Sequence, residues 1–376
     1  MRTRTFGNWD LGFGMAKGAA RSFLKSQFLN PKSQVWVCAL VIALCTATRA
    51  ANELRFCLKG DPKTFNPLLV DDDDSDTVVY LTGGVLVRIN RQTQLLEPEL
   101  ATEWKVSKDG RTITFTLREH VFFSDGTPFG PEDVAFTVKE MLDPALHSPI
   151  GDSFRSGTGA TTTKVPDARH IAITFPAPVA GLDRLFDGVA ILSSRSPKKE
   201  MATLGPYYVG DHKAGSYVLL NRNPNYWKRD SGGRQLPYIE TIRLGMQSNR
   251  DIEMLQFKNG EIHLINSIDT EYYDRLAASS GSSLHDAGPS SDTEQVWFNQ
   301  VPTAPIEPYK RAWFRSQNFR VAVSKAINRD DLARVVFGSH ARPAVGPVSP
   351  ANKLWFNAGL KPIPHDPNAS LKLLQA

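Results

Sequence analysis

Leu96-Glu97-Pro98-Glu99-Leu100-Ala101-Thr102-Glu103-Trp104 leads to Asp109-Gly110 and then to Thr112-Ile113-Thr114-Phe115-Thr116-Leu117. In the last run apolar and polar residues alternate, which places Ile113, Phe115 and Leu117 on one face of a strand. Trp104 and Val106 approach the turn from the other side. Asp-Gly between two such runs supplies the positive φ angles of a tight hairpin turn, so a hairpin is expected here. Asp125-Gly126 marks a second turn. Gly130-Pro131-Glu132-Asp133 then opens a helix, with proline at its first position and two acids at the positive end of the dipole. Val134, Val138, Met141 and Leu142 fall on one side of that helix, and Asp143-Pro144 ends it.

Working outward, residues 54–58 read as a short strand ended by Gly60-Asp61-Pro62. The acidic run Asp71 to Asp76 reads as a solvated loop, and residues 78–86 as a helix. Strands are expected at 171–175, at 207–209 paired with 217–220, and at 239–244, 261–265 and 295–298. Helices are expected at 251–259, closed by Gly260, and at 319–327 and 331–337, the last closed by Gly338. Asp366-Pro367 starts a final short helix. Strands and helices mix without a repeat, so the fold class is α/β (mixed α+β).

Charge is unevenly placed. Seven basic side chains against Asp10 alone leave residues 1–50 at +6, and the whole chain carries +5, so the remainder is close to neutral. A near-neutral body gives no electrostatic footprint for nucleic acid. Residues 35–44 (VWVCALVIAL) form an apolar run too short to span a bilayer comfortably. Basic residues precede it and Thr48-Arg49-Ala50 follows. This is the pattern of a cleaved secretory signal over residues 1–50, with Met15 as an alternative start. Leu44 before Cys45 does not fit a lipoprotein signal. Cleavage removes Cys38 and Cys45 and leaves Cys57 without an internal disulfide partner. The expected location is periplasmic or otherwise extracytoplasmic.

Chemistry-bearing motifs are lacking. The sequence has no GxxxxGK[ST] loop, no GxSxG elbow and no HExxH. The acidic run lacks the glycine and distal glutamate of a calcium loop. No enzyme activity, cofactor or metal is therefore expected. Trp227, Trp297, Trp313, Tyr207, Tyr226 and Tyr238 fit either a concave ligand site or core packing.

The quoted stretch resembles the "PELAESW" block of family 5 solute-binding proteins, the oligopeptide- and dipeptide-binding class of ABC importers. The resemblance continues through Phe115-Thr116-Leu117-Arg118, through Phe123-Ser124-Asp125-Gly126-Thr127-Pro128-Phe129 and through Glu132-Asp133-Val134. Gly205-Pro206-Tyr207 is similar to the family's "TGPY", with Leu204 replacing the threonine. Arg222-Asn223-Pro224-Asn225-Tyr226-Trp227 is similar to "RNPxYW". Leu236-Pro237-Tyr238-Ile239, Gly260-Glu261-Ile262, Trp297-Phe298-Asn299 and Phe319-Arg320-Val321-Ala322 resemble further blocks.

The resemblance implies a two-lobed, periplasmic-binding-protein-like fold of the large peptide-binding class. Residues 51–88 and 201–288 would form the first lobe, 89–200 a smaller inserted domain, and 289–376 an incomplete second lobe. Family members continue beyond the position of Ala376, and that part includes the acidic residue that holds a peptide's amino terminus. Carried over by register, Ser75 and Thr77 lie in the first-lobe contact loop and Ile150 where the inserted domain faces the cleft. Asn266 and Ser267 follow the strand into the cleft, and Gln295 and Trp297 share one face of the strand entering the second lobe. The implied partners are an oligopeptide or dipeptide solute and an ABC-transporter permease in the membrane, with the receptor a monomer. Two other readings stand beside it: a non-binding fragment of such a receptor, and a secreted enzyme.

Overall fold

The structure is a computed structural model that describes residues 52–155, 159–196, 201–278, 284–291 and 293–375. The expected signal segment lies outside them. Strand β1 (Glu53–Leu58) buries Phe56 and Leu58. Helix α1 spans Asp73–Thr82 and replaces the expected acidic loop. Asp72 caps it: one carboxylate oxygen accepts from the Ser75 N–H at 2.9 Å and the other from the Ser75 hydroxyl at 2.7 Å. Asp73, Asp74 and Asp76 occupy the first turn, where the helix dipole favours negative charge. The helix stops at Thr82, short of the expected Leu86, because Gly83-Gly84 passes against other chain segments. A Cβ at Gly83 would lie 2.7 Å from the Ala190 Cβ, and one at Gly84 2.5 Å from the Leu204 Cβ.

Asp72 offers a stability test. Burial would raise its pKa, but the hydrogen bonds from Ser75 outweigh burial and hold it below the ordinary carboxylate value. Stability from this depressed group is fully present above the unfolded pKa, near 4, and is lost as pH falls through the folded value. Asp72→Ala is expected to cost about 1 kcal/mol at pH 7. Urea unfolding at pH 7 and pH 3 should show the difference between variant and parent shrinking in acid.

Strands β2 (Val87–Ile89) and β3 (Leu96–Pro98) pair antiparallel. The expected hairpin is β4 (Ala101–Val106) with β5 (Thr112–Leu117). Ile113, Phe115 and Leu117 are all buried. Only Gly110 takes positive φ at the turn, at 67°, so the connection is a turn closed by a left-handed glycine and not a two-residue loop. Strands β6 (Thr162–Asp167) and β7 (His170–Thr174) complete a sheet in the order β4-β5-β7-β6. Helix α2 (Pro131–Leu142) covers it and buries Val134, Val138 and Met141. Helix α3 (Pro149–Phe154) follows. Phe115, Phe154, Phe175 and Phe186 form the centre of this core, with ring centroids 5.0–6.0 Å apart.

Strands β8 (Tyr207–Lys213) and β9 (Tyr217–Arg222) form the second expected hairpin, and β10 (Thr241–Met246) joins it. The sheet order is β1-β10-β9-β8, with β1 parallel to β10, so residues 53–58 and 207–246 share one sheet. Helix α4 (Arg250–Lys258) ends before Gly260, whose φ is 72°. No strand forms at 261–265. The His263 N–H donates to the Arg55 carbonyl at 2.8 Å, and the Arg55 N–H donates to the His263 Nδ1 at 3.0 Å. A side-chain nitrogen thus stands where a second strand would offer its carbonyl, and the pairing ends there.

Helices α5 (Thr270–Ala277), α6 (Pro308–Arg315), α7 (Gln317–Ala326), α8 (Arg329–Val335) and α9 (Pro367–Gln375) follow. Residues 295–298 do not form the expected strand, since no ladder partner lies beside them among the described residues. Among the described residues no helix is long and apolar enough to cross a membrane.

Candidate functional site

The motif blocks meet as hydrogen-bonded joints. Asp133, from the segment that opens α2, is wholly buried. Its carboxylate accepts from the N–H of Gly130 and Ser194 at 2.8 Å each, from the Ser194 hydroxyl at 2.7 Å, and from the Arg195 guanidinium at 3.2 Å. Asn223 is also wholly buried, and its side-chain amide donates to the Gly205 carbonyl at 2.9 Å. The Asn225 amide donates to the Phe123 carbonyl at 3.0 Å. The segment 222–227 therefore clamps the Gly205-Pro206 turn to the 123–129 loop, which explains why asparagines recur in it.

Beside this joint is a cavity of about 210 Å³, whose walls include Tyr80, Arg88, Glu99, Gly205, Tyr226 and Trp227. Arg88 sits over the Tyr80 ring at 4.8 Å, and Arg118 over the Trp227 ring at 4.1 Å. Lys228 pairs with Glu99 at 2.6 Å. Burial, then the Glu99 charge, pushes the Tyr226 phenol well above its ordinary pKa, with Arg88 pulling the other way. Tyr226 thus stays protonated at physiological pH, with the Glu99 and Arg88 charges acting on it in opposite directions. The sequence marked Tyr226 and Trp227 as aromatics of either role; it placed Glu99 in a motif block without a role and gave no sign of Tyr80 or Arg88. The cavity is assembled from four distant segments, and only the neighbouring motif blocks hinted at it.

None of the seven carried-over residues lines this cavity. Ser75 is buried in α1, where its hydroxyl donates to Asp72 and accepts from the Thr64 N–H at 3.2 Å. Thr77, two residues on, donates to the Asp73 carbonyl one turn back at 2.9 Å. Ile150, in α3, packs against the core around Phe154. Asn266, Ser267, Gln295 and Trp297 are exposed, Trp297 at 79%. Without the expected strand, no ladder fixes Gln295 and Trp297 to a common face. Phe298 packs on Phe314 and Phe319, with centroids at 5.3 and 5.6 Å. Of the other aromatics, Tyr207 is core, its hydroxyl donating to the Ile239 carbonyl at 3.2 Å, and Tyr238 is exposed.

Cys57 is half-buried on β1, its thiol 3.7 Å from the Gln256 amide oxygen. Burial, then the Glu253 charge, pushes its pKa up to about 11. At pH 8 its thiolate fraction is then roughly a hundred-fold below that of an unperturbed cysteine. Alkylation at pH 8, mapped by peptide mass spectrometry, should label Cys57 at least about tenfold more slowly in the native protein than in urea. Equal rates would contradict the structure.

The match to bacterial extracellular solute-binding proteins, family 5, covers residues 96–376. The chain belongs to that family. It is 25% identical over 349 residues to the "Probable ABC transporter-binding protein" of Deinococcus radiodurans, covering 84% of this chain and 57% of that one. It is 25% identical over 317 residues to the dipeptide-binding protein DppE of Bacillus subtilis, covering 78% of this chain and 54% of DppE. The fold matches the periplasmic binding protein DppA of Helicobacter pylori in complex with the peptide STSA. There the TM-score is 0.65 and the identity 23%, over 86% of this chain and 65% of that one. This is the family 5 two-lobe fold, and the chain spans a little over half the length of these two curated relatives.

Proposed function

We propose that the chain is the extracytoplasmic receptor of an ABC importer, holding a peptide-like solute in a cleft that closes before docking on the permease. The observation that carries this is family membership over residues 96–376, with the motif blocks assembled into joints around two sheets. The names of the relatives support the solute class: DppE is a dipeptide-binding protein, and DppA was solved with a tetrapeptide. The proposed contacts are Thr77, Ile150, Asn266, Ser267, Gln295 and Trp297, with the buried Ser75 behind them. Ser75 acts by fixing the start of α1, and Ile150 by shaping the inserted sheet's edge of the cleft. Trp297 offers an exposed ring, and the unpaired backbone of 295–298 is free to pair with an extended peptide as an added strand.

Titration calorimetry of the 376-residue chain against the peptide STSA, a dipeptide mixture and nickel–histidine tests the reading. Peptide binding with a negative heat-capacity change is expected. Trp297→Ala should weaken it at least tenfold and leave unfolding unchanged, since the ring is mostly exposed. Binding of nickel–histidine alone would overturn the solute class.

A further inference from the structure

The cavity beside Tyr226 has no part in peptide capture, and none of the contacts proposed above lines it. Its walls are of two kinds. Val85, Leu100, Leu204 and Pro206 are apolar. Against them stand three side-chain donors that make no hydrogen bond among the described residues: the Arg88 guanidinium, the Tyr226 hydroxyl and the Trp227 indole N–H. Donors left without acceptors in a concave site call for an explanation. Arg88 has carboxylates nearby and pairs with neither. Glu97 stands opposite it in the β2–β3 ladder and accepts instead from the Asn90 amide at 2.7 Å. Glu99 lines the cavity, and Lys228 holds its carboxylate at 2.6 Å. The neighbouring Arg118 is already engaged, its Nε donating to the Glu99 carbonyl at 3.1 Å while it covers the Trp227 ring. Arg88 lies 4.8 Å from the centre of the Tyr80 ring, a contact that positions its charge without giving its five N–H donors an acceptor.

We infer that this cavity is a second ligand site, separate from the peptide cleft, and that it takes a small organic monocarboxylate. The carboxylate would lie on Arg88 and Tyr226, and the apolar body against Leu100, Leu204 and Trp227. Three features select this class. An unpaired guanidinium beside a neutral hydroxyl suits a carboxylate, since both groups donate and a charge-assisted bond is the stronger kind. Apolar walls favour an organic body over a bare inorganic anion. The Glu99 charge in the same wall opposes a second negative charge on the ligand. At about 210 Å³ the cavity falls below the size of drug-sized pockets, so the ligand is small.

Titration calorimetry of the 376-residue chain tests this with benzoate and butyrate as probes and with benzamide and inorganic phosphate as controls. At least one of the two carboxylates should bind one to one. Benzamide has the shape of benzoate without its charge, and phosphate has the charge without an apolar body. Each should bind at least about tenfold more weakly than the better carboxylate. Arg88→Gln should weaken carboxylate binding at least about tenfold, and Tyr226→Phe should weaken it by a smaller factor. Thermal melts of both variants should stay near the parent, since neither group holds a hydrogen bond within the protein. Saturating STSA should leave the carboxylate affinity unchanged. Benzamide binding as well as benzoate on the unaltered chain, or Arg88→Gln binding like the parent, would overturn the inference. Neither carboxylate binding at tens of millimolar would overturn it too, as would phosphate binding more tightly than both. Displacement by STSA would make the cavity part of the peptide cleft and overturn a second site. Carboxylate binding in a chain that binds no peptide would support the second site and remove the peptide reading alone.

Discussion

Asp133→Ala is expected to cost about 3–5 kcal/mol. The carboxylate is wholly buried and ties three separate groups together: the N–H that starts α2, the Ser194 backbone and hydroxyl, and the Arg195 guanidinium. Alanine would leave the Gly130 and Ser194 N–H groups without this acceptor, while Arg195 keeps its bond to the Pro128 carbonyl at 2.8 Å, so the loss includes desolvation of the stranded donors as well as the bonds themselves. Asp133→Asn keeps the shape and one acceptor oxygen but loses the charge facing Arg195, and should cost less, about 1.5–3 kcal/mol. Against a typical stability of about 5–15 kcal/mol, the alanine variant would leave the β4–β7 sheet and its helix marginal. Urea unfolding of the three proteins should rank parent, asparagine, alanine. An alanine variant within about 0.5 kcal/mol of the parent would show that the joint does not hold the domain.

Gly205→Ala is expected to be comparably damaging for a different reason. A Cβ there would lie 2.3 Å from the Thr82 carbonyl oxygen, 2.5 Å from its carbon and 2.8 Å from the Gly83 oxygen. All three are backbone atoms, so no flexible side chain can yield. The Gly205 N–H donates to the Thr82 carbonyl at 2.9 Å and its own carbonyl accepts from Asn223, so moving the chain aside breaks the joint. A cost of about 3 kcal/mol or more follows from overpacking without relief. Gly245→Ala in β10 is the control, since nothing lies within 4 Å of its Cβ position and its φ is not positive. Thermal melts should show Gly205→Ala well below the parent and Gly245→Ala close to it.

Local pattern was legible wherever a partner strand lay nearby. Ile113, Phe115 and Leu117 could be placed on a buried face because β4 and β7 flank β5 and enforce the alternation. The acidic run was misread because four aspartates look like a solvated loop, whereas their position before Val78 makes them a cap and a first turn. Segments 261–265 and 295–298 carry strand-like residues but form no strand, because a strand exists only with a neighbour. His263 closes one edge with its ring, and nothing pairs with the other among the described residues. The motif blocks were legible as a family resemblance, but not as the hydrogen-bonded joints that Asp133, Asn223 and Asn225 make. The cavity beside them was hidden because Tyr80, Arg88, Glu99 and Tyr226 lie on segments that only folding brings together.

Thermal unfolding of the 376-residue chain, with and without millimolar STSA and a dipeptide mixture, tests receptor function most directly. A ligand at about one hundred times its Kd stabilises the native state by about 2.7 kcal/mol, which raises Tm by about 3–4 °C for a chain of this size. The account predicts such a rise, smaller in Trp297→Ala. A cooperative melt unmoved by any peptide would contradict it.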